Sequence, residues 1–122
     1  MRQYGVAPFL ECSSRGDKRF SPFYARPKSL KGRSIEEAYQ AMKILEDGTT
    51  GHDWRSAKGK KAINLPQCVA MYRGWWIEYI NENPHLLQIL KQASGLSDMF
   101  AYEQTPCCQA EELWLIRNQV SI

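Results

Sequence analysis

A carboxylate, an amide and an ammonium group recur along one short segment as Glu36, Gln40 and Lys43. At about 100° per residue the three fall on one side of a helix, with Asp47 further along and Tyr39 at the edge. Ile35, Ala38, Met42 and Leu45 fall on the opposite, apolar side. A carboxylate held beside a reacting centre can stabilise positive charge that develops there, and can orient or deprotonate an attacking water. Lys43, two turns on, could hold a phosphate or bias the ionisation of Glu36. The plainer alternative is a solvated face, the usual fate of a polar helix side. Ser34, with Glu37 three residues later, completes a capping-box pattern, so a cap is the first explanation of Glu37.

The same segment carries a family resemblance. Phe20-Ser21-Pro22-Phe23-Tyr24, a basic turn, and then Ser34-Ile35-Glu36-Glu37-Ala38-Tyr39-Gln40-Ala41-Met42-Lys43 resembles the NADAR superfamily. That superfamily includes riboflavin-pathway N-glycosidases and ADP-ribosyl-guanosine hydrolases. Phe20, Ser21, Phe23, Ser34, Glu36, Gln40, Ala41 and Lys43 match its two motifs, in order and at their separation; Pro22 stands where Asn is usual and Glu37 where His is usual. The resemblance spans residues 19–45. It implies a compact helical body with a small sheet, hydrolysis of an N-glycosidic bond, and Glu36 as the catalytic carboxylate. It leaves a second carboxylate to be found, with Asp98 and Glu103 as candidates.

Around Glu36, substrate contacts are expected from Arg19, Phe23, Arg33, Tyr39, Gln40 and Lys43. Phe23 or Tyr39 could stack on a flat base or nicotinamide ring, a contact of about 1–3 kcal/mol; either could equally be core. Residues 1–33 hold eight basic and two acidic side chains, whereas residues 34–122 hold eight basic and eleven acidic. The positive third ends where the Glu36 helix begins. Arg19, Arg26, Lys28 and Arg33 together therefore suggest a phosphate-bearing partner. No GxGxxG, Walker loop, HExxH or GxSxG pattern is present. Cys12, Cys68, Cys107 and Cys108 lack CxxC spacing, and His52 and His85 are the only histidines. Free thiols, no metal site and no cofactor are expected. Cys107-Cys108 before an apolar helix could be an activated thiol, but a structural role is the simpler account.

The elements that must position these groups follow from spacing and breakers. One short strand is expected within residues 2–11, extended chain over 19–24, and a short strand and turn over 29–32. The Glu36 helix should run to Leu45 or beyond and stop at Gly48-Thr49-Thr50-Gly51. Residues 52–62, with Trp54 and Lys58-Gly59-Lys60-Lys61, read as loop or short helix. Pro66 can open a long helix, in which Val69, Tyr72, Trp76 and Ile80 recur at helical spacing and Trp75-Trp76 is most simply core. Asn83-Pro84 breaks it and starts a third helix, which Gly95 can stop. Residues 99–102 are expected as a strand. Thr105-Pro106 leads to a last helix carrying Ala110, Leu113, Trp114, Arg117 and Val120.

A chain of 122 residues with 43% apolar and 24% charged side chains can bury one core without staples. Four expected helices and three or four short strands suggest an α+β fold, a helix-rich single domain over residues 1–122. No apolar run approaches a membrane span and no signal-peptide pattern opens the chain, so a cytoplasmic setting is expected. The leading functional expectation is an N-glycosidase acting on an ADP-ribosylated or ribosyl-phosphate substrate. Two alternatives stand beside it: a non-catalytic NAD or ADP-ribose binding module, and a nucleic-acid-binding protein that uses the basic first third.

Overall fold

The helix that carries Glu36 is closed at its N-terminus as its sequence requires. In the computed structural model, which describes residues 1–102 and 104–119, α1 spans Ile35–Met42. The Ser34 hydroxyl accepts from the Glu37 N–H at 3.1 Å, and the Glu37 carboxylate accepts from the Ser34 N–H at 3.0 Å. Two of the helix's orphan donors are thereby satisfied. The helix ends sooner than its apolar spacing suggests. Asn64 accepts from the Ile44 N–H and donates to the Met42 carbonyl, which turns the chain out of the helix. Leu45 stays buried but bridges Ala62 in extended chain, and Asp47 is exposed.

Four more helices follow: α2 (Trp54–Ala57), α3 (Leu65–Glu82), α4 (Pro84–Gln92) and α5 (Gln109–Asn118). Pro66 and Pro84 each sit in the first turn, where a missing N–H costs nothing. Among the described residues, no helix is long and apolar enough to cross a membrane. α3 is the core's spine. Tyr39 of α1 meets Tyr72 edge-on at 5.4 Å, Tyr72 meets Trp76 at 6.4 Å, and Trp76 meets Tyr79 at 5.6 Å. Such edge-to-face pairs add to simple burial. Trp75 and Trp76 are both core. Around them pack Phe20, Ile35, Ile80, Leu86, Leu90, Leu96 and Leu113.

The strands lie elsewhere than their local sequence suggests. Residues 2–11 give two, β1 (Arg2–Gly5) and β2 (Phe9–Glu11), and the third is β3 (Gly95–Asp98). β3 lies between the other two, antiparallel to β1 and parallel to β2. All four of its residues are buried. Gly95 thus opens a strand instead of stopping a helix; α4 closes at Ala93, whose N–H reaches the Ile89 and Leu90 carbonyls. A Cβ on Gly95 would stand 2.5 Å from the Val6 carbonyl and 2.7 Å from the Phe9 ring, so only glycine lets the β1–β2 connection pass so close. Residues 99–102 are not strand. Lys18–Phe20 and Lys28–Leu30 form 3-10 turns where extended chain was expected. Asp17 caps the first of these through the Arg19 N–H. In the second, Glu82 accepts from the Lys28 N–H and Glu78 from the Ser29 N–H. Val120 and Glu103 lie outside the described residues.

Candidate active site

Between α1, the turn at residues 58–62 and the segment from Asp98 to Gln109 lies a cavity of about 620 Å³. α1 reaches it with the polar side of the helix. Glu36, Tyr39, Gln40 and Lys43 line it and are only 8%, 5%, 4% and 6% exposed. The solvated-face account of this side is therefore wrong: α1 buries two faces, one in the core and one in the cavity wall. Glu37, one residue on and turned outward, closes the cap and pairs with Arg26 at 3.4 Å. The two adjacent carboxylates are thus separated by position.

Glu36 is fixed at both ends. Its N–H donates to the Pro22 carbonyl at 2.9 Å, and its Oε1 accepts from Gln40 Nε2 at 2.8 Å inside the wall. A carboxylate can only accept, so the Gln40 amide must turn its nitrogen toward Glu36. That leaves Gln40 Oε1 buried with no partner, an arrangement that costs about 1–3 kcal/mol until a donor arrives.

Lys43 is committed differently from its expected role. Its ammonium donates to the Ala57 carbonyl at 3.2 Å and the Lys60 carbonyl at 3.0 Å, and sits 5.4 Å over the Tyr39 ring. Burial pushes its pKa down, while the charge of Glu36 works against that fall. Most of its donor capacity ties α1 to the turn after α2. Tyr39 is held in the wall by Tyr72, and burial pushes its phenol well above the usual range. Phe23 also lines the cavity, edge-on to Trp54 at 5.4 Å, with the Lys58 ammonium 4.7 Å over its ring.

Across from α1, Asp98 ends β3 and is 6% exposed. Its Oδ1 accepts from the Phe100 N–H at 3.0 Å. Burial raises its pKa, and the charge of Glu11 adds to the rise. Asp98 and Glu36 thus line the same cavity, where Glu36 accepts the Gln40 hydrogen bond. Two buried carboxylates in one cavity are an arrangement that acid–base chemistry can use.

Two expected contacts are not in the wall. Arg19 is paired with Asp17, with Nε to Oδ1 at 3.0 Å and Nη2 to Oδ2 at 2.7 Å, and is outside the cavity lining. Arg33 is exposed and outside the cavity lining. Arg26 bonds the Gly32 carbonyl and Glu37. From residues 1–33 the lining takes Ser13, Ser14, Ser21, Pro22 and Phe23, none of them charged. The cations come instead from Lys58, Lys60 and Lys61. Their clustering was visible in the sequence, but the bonds from Lys43 and Asn64 that bring the turn to α1 are not local. Phe100 and Tyr102 also line the cavity while 53% and 69% exposed. As residues i and i+2 they would also have shared one face of the expected strand.

The four thiols are free, and burial raises the pKa of each, Cys107 to about 12. A neutral thiol is a poor nucleophile; Cys107 is half-buried and lines the cavity, and Cys108 is buried. No group of three metal-ligating side chains occurs among the described residues. Compared with protein-family models and with curated proteins, the sequence matches none.

Proposed function

We propose that this chain is an N-glycosidase that hydrolyses the bond between a ribosyl phosphate, or ADP-ribose, and a nitrogenous group. The observation that supports it most is the burial of two carboxylates, Glu36 and Asp98, in the lining of one cavity. In this reading the C1–N bond breaks and its electron pair leaves with the nitrogen, which takes a proton from Asp98. Glu36 faces the cationic anomeric carbon, orients a water toward it, and receives the water's proton as the C1–O bond forms. The motif resemblance over residues 19–45 adds to this reading through Glu36, Gln40 and Lys43. Phe23, Tyr39, Phe100 and Tyr102 would bracket a flat leaving group or base.

The test is product analysis after incubation with ADP-ribosylated guanosine, NAD, ADP-ribose and ribosylaminopyrimidine phosphates. Release of a free nitrogenous base or amine from one of them is the expected result, lost in Glu36→Gln. Saturable binding with no product from any of them overturns the proposal in favour of a nucleotide-binding module.

A further inference from the structure

The cavity is bipolar. Its buried walls carry the acids Glu36 and Asp98, and its exposed edge carries Lys58, Lys60 and Lys61. No carboxylate makes an ion pair with any of these lysines among the described residues. Elsewhere the cations near the cavity are spent locally, as Arg19 is on Asp17 and Arg26 is on Glu37. The turn that presents the lysines is not loose. Lys43 bonds the Ala57 and Lys60 carbonyls from inside, Ile63 N–H reaches the Ile44 carbonyl at 2.8 Å, and Leu45 bridges Ala62. Phe23 and Trp54 hold the Lys58 ammonium at 4.7 and 5.7 Å. In the same wall Gln40 Oε1, on a side chain that is 4% exposed, is left without a hydrogen-bond partner, an acceptor open to a ligand donor.

We infer that the turn Lys58-Gly59-Lys60-Lys61 is the phosphate subsite of this cavity, and that its ligand carries a phosphate or pyrophosphate group at the lysine edge. This rests on the ribosyl-phosphate reading of the pocket, and replaces the basic first third as the anchor. Three ammonium groups on a pinned turn meet the charge of an anionic tail, while the uncharged sugar extends inward to the carboxylates. Lys43 is a positioning residue here: it holds the turn in place without facing the phosphate itself.

Isothermal titration with inorganic pyrophosphate and with ADP-ribose tests the subsite without requiring catalysis. The triple variant Lys58→Ala/Lys60→Ala/Lys61→Ala should weaken both ligands by about 30-fold or more at low salt. Arg19→Ala/Arg33→Ala should change either by less than about twofold. Lys43→Met should weaken pyrophosphate by about 3–10-fold with its salt dependence retained, because the edge charges remain. Triple-variant affinity within about twofold of the parent overturns the inference. So does an equal loss in the arginine pair, or a parent protein that binds neither ligand. ADP-ribose held through the lysines but never cleaved would sink the glycosidase proposal alone. Cleavage with a KM that the triple variant leaves unmoved would sink the subsite alone.

Discussion

The polar side of α1 and the basic first third of the chain hold similar kinds of side chain, and the fold treats them in opposite ways. On α1, Glu36, Gln40 and Lys43 are carried indoors by a helix whose other side is also buried, so their hydrogen bonds run to each other and to a neighbouring turn. In the first third, Arg19 and Arg26 stay outside and are satisfied by groups close in sequence. A count of charge sees the second region first, because it is the larger imbalance. Net charge does not show which groups a fold carries indoors: α1 lines the cavity, and the lysine turn supplies its exposed cations.

The sharpest way to break this contrast is Glu36→Gln. Gln keeps the size and cannot carry the charge, so turnover should fall by a factor on the order of 10²–10³ with binding nearly kept. Glu37→Gln serves as its control and should leave turnover intact. If Glu37→Gln is the variant that silences turnover, the division between pocket and cap is wrong. Next comes Lys43→Met, which removes the ammonium from the Ala57 and Lys60 carbonyls and leaves Ala57 only the Lys60 N–H. A stability loss of about 1–3 kcal/mol by urea unfolding is expected, and no loss would mean water replaces the ammonium easily.

A pH experiment extends the contrast to acids. Burial would raise Glu11, but hydrogen bonds from Ser13, the Met99 N–H and Ser97 outweigh it and hold its pKa below the ordinary value. Its stabilising contribution is therefore present above about pH 4.5 and lost as pH falls through the folded value. Melting temperature should drop on acidification from about pH 5 to 3, and Glu11→Gln should flatten that drop. Asp98 has the opposite sign: its raised pKa means the proton is favoured in the folded state. The smallest effect is reserved for Arg19→Ala. Its ion pair is half exposed, and stability should move by no more than about 0.5 kcal/mol. A larger loss would show that the outer region contributes more than its geometry suggests.

How much of this was legible in advance tracks how local each cause is. Ser34 and Glu37 cap α1 from three residues apart, and the periodicity of Ile35, Ala38 and Met42 needs no partner to be read. Pro66, Pro84 and the α3 aromatics are likewise self-declaring, and with the short strands expected beside these helices they suggested the α+β class. β3 was not, because a four-residue strand with Gly at its head looks like a helix stop until both its neighbours are known. The α1 ending depended on Asn64, and the placement of Lys58, Lys60 and Lys61 depended on Lys43; both bonds cross about twenty residues. Glu36, Gln40 and Lys43, with Tyr39 at the edge, share the helix side that their spacing describes and line the cavity; Phe23 joins them from a separate segment. Arg19 and Arg33 did not, since net charge says nothing about who neutralises it.

The order of strands carries a consequence for how the molecule assembles. β1 and β2 are consecutive in sequence and never touch as a pair, since β3 lies between them. The Ser97 hydroxyl meets Glu11 across 86 residues. The sheet consequently has no hairpin to seed it, and its first two strands wait until nearly the whole chain has been made. Closing so long a loop before any ladder bond forms is entropically costly. The helices can associate around Trp76 earlier, from contacts nearer in sequence. Asp98 reaches the cavity at the end of β3, so the second carboxylate arrives with the sheet, and a folding intermediate made of helices alone would hold Glu36 without its counterpart.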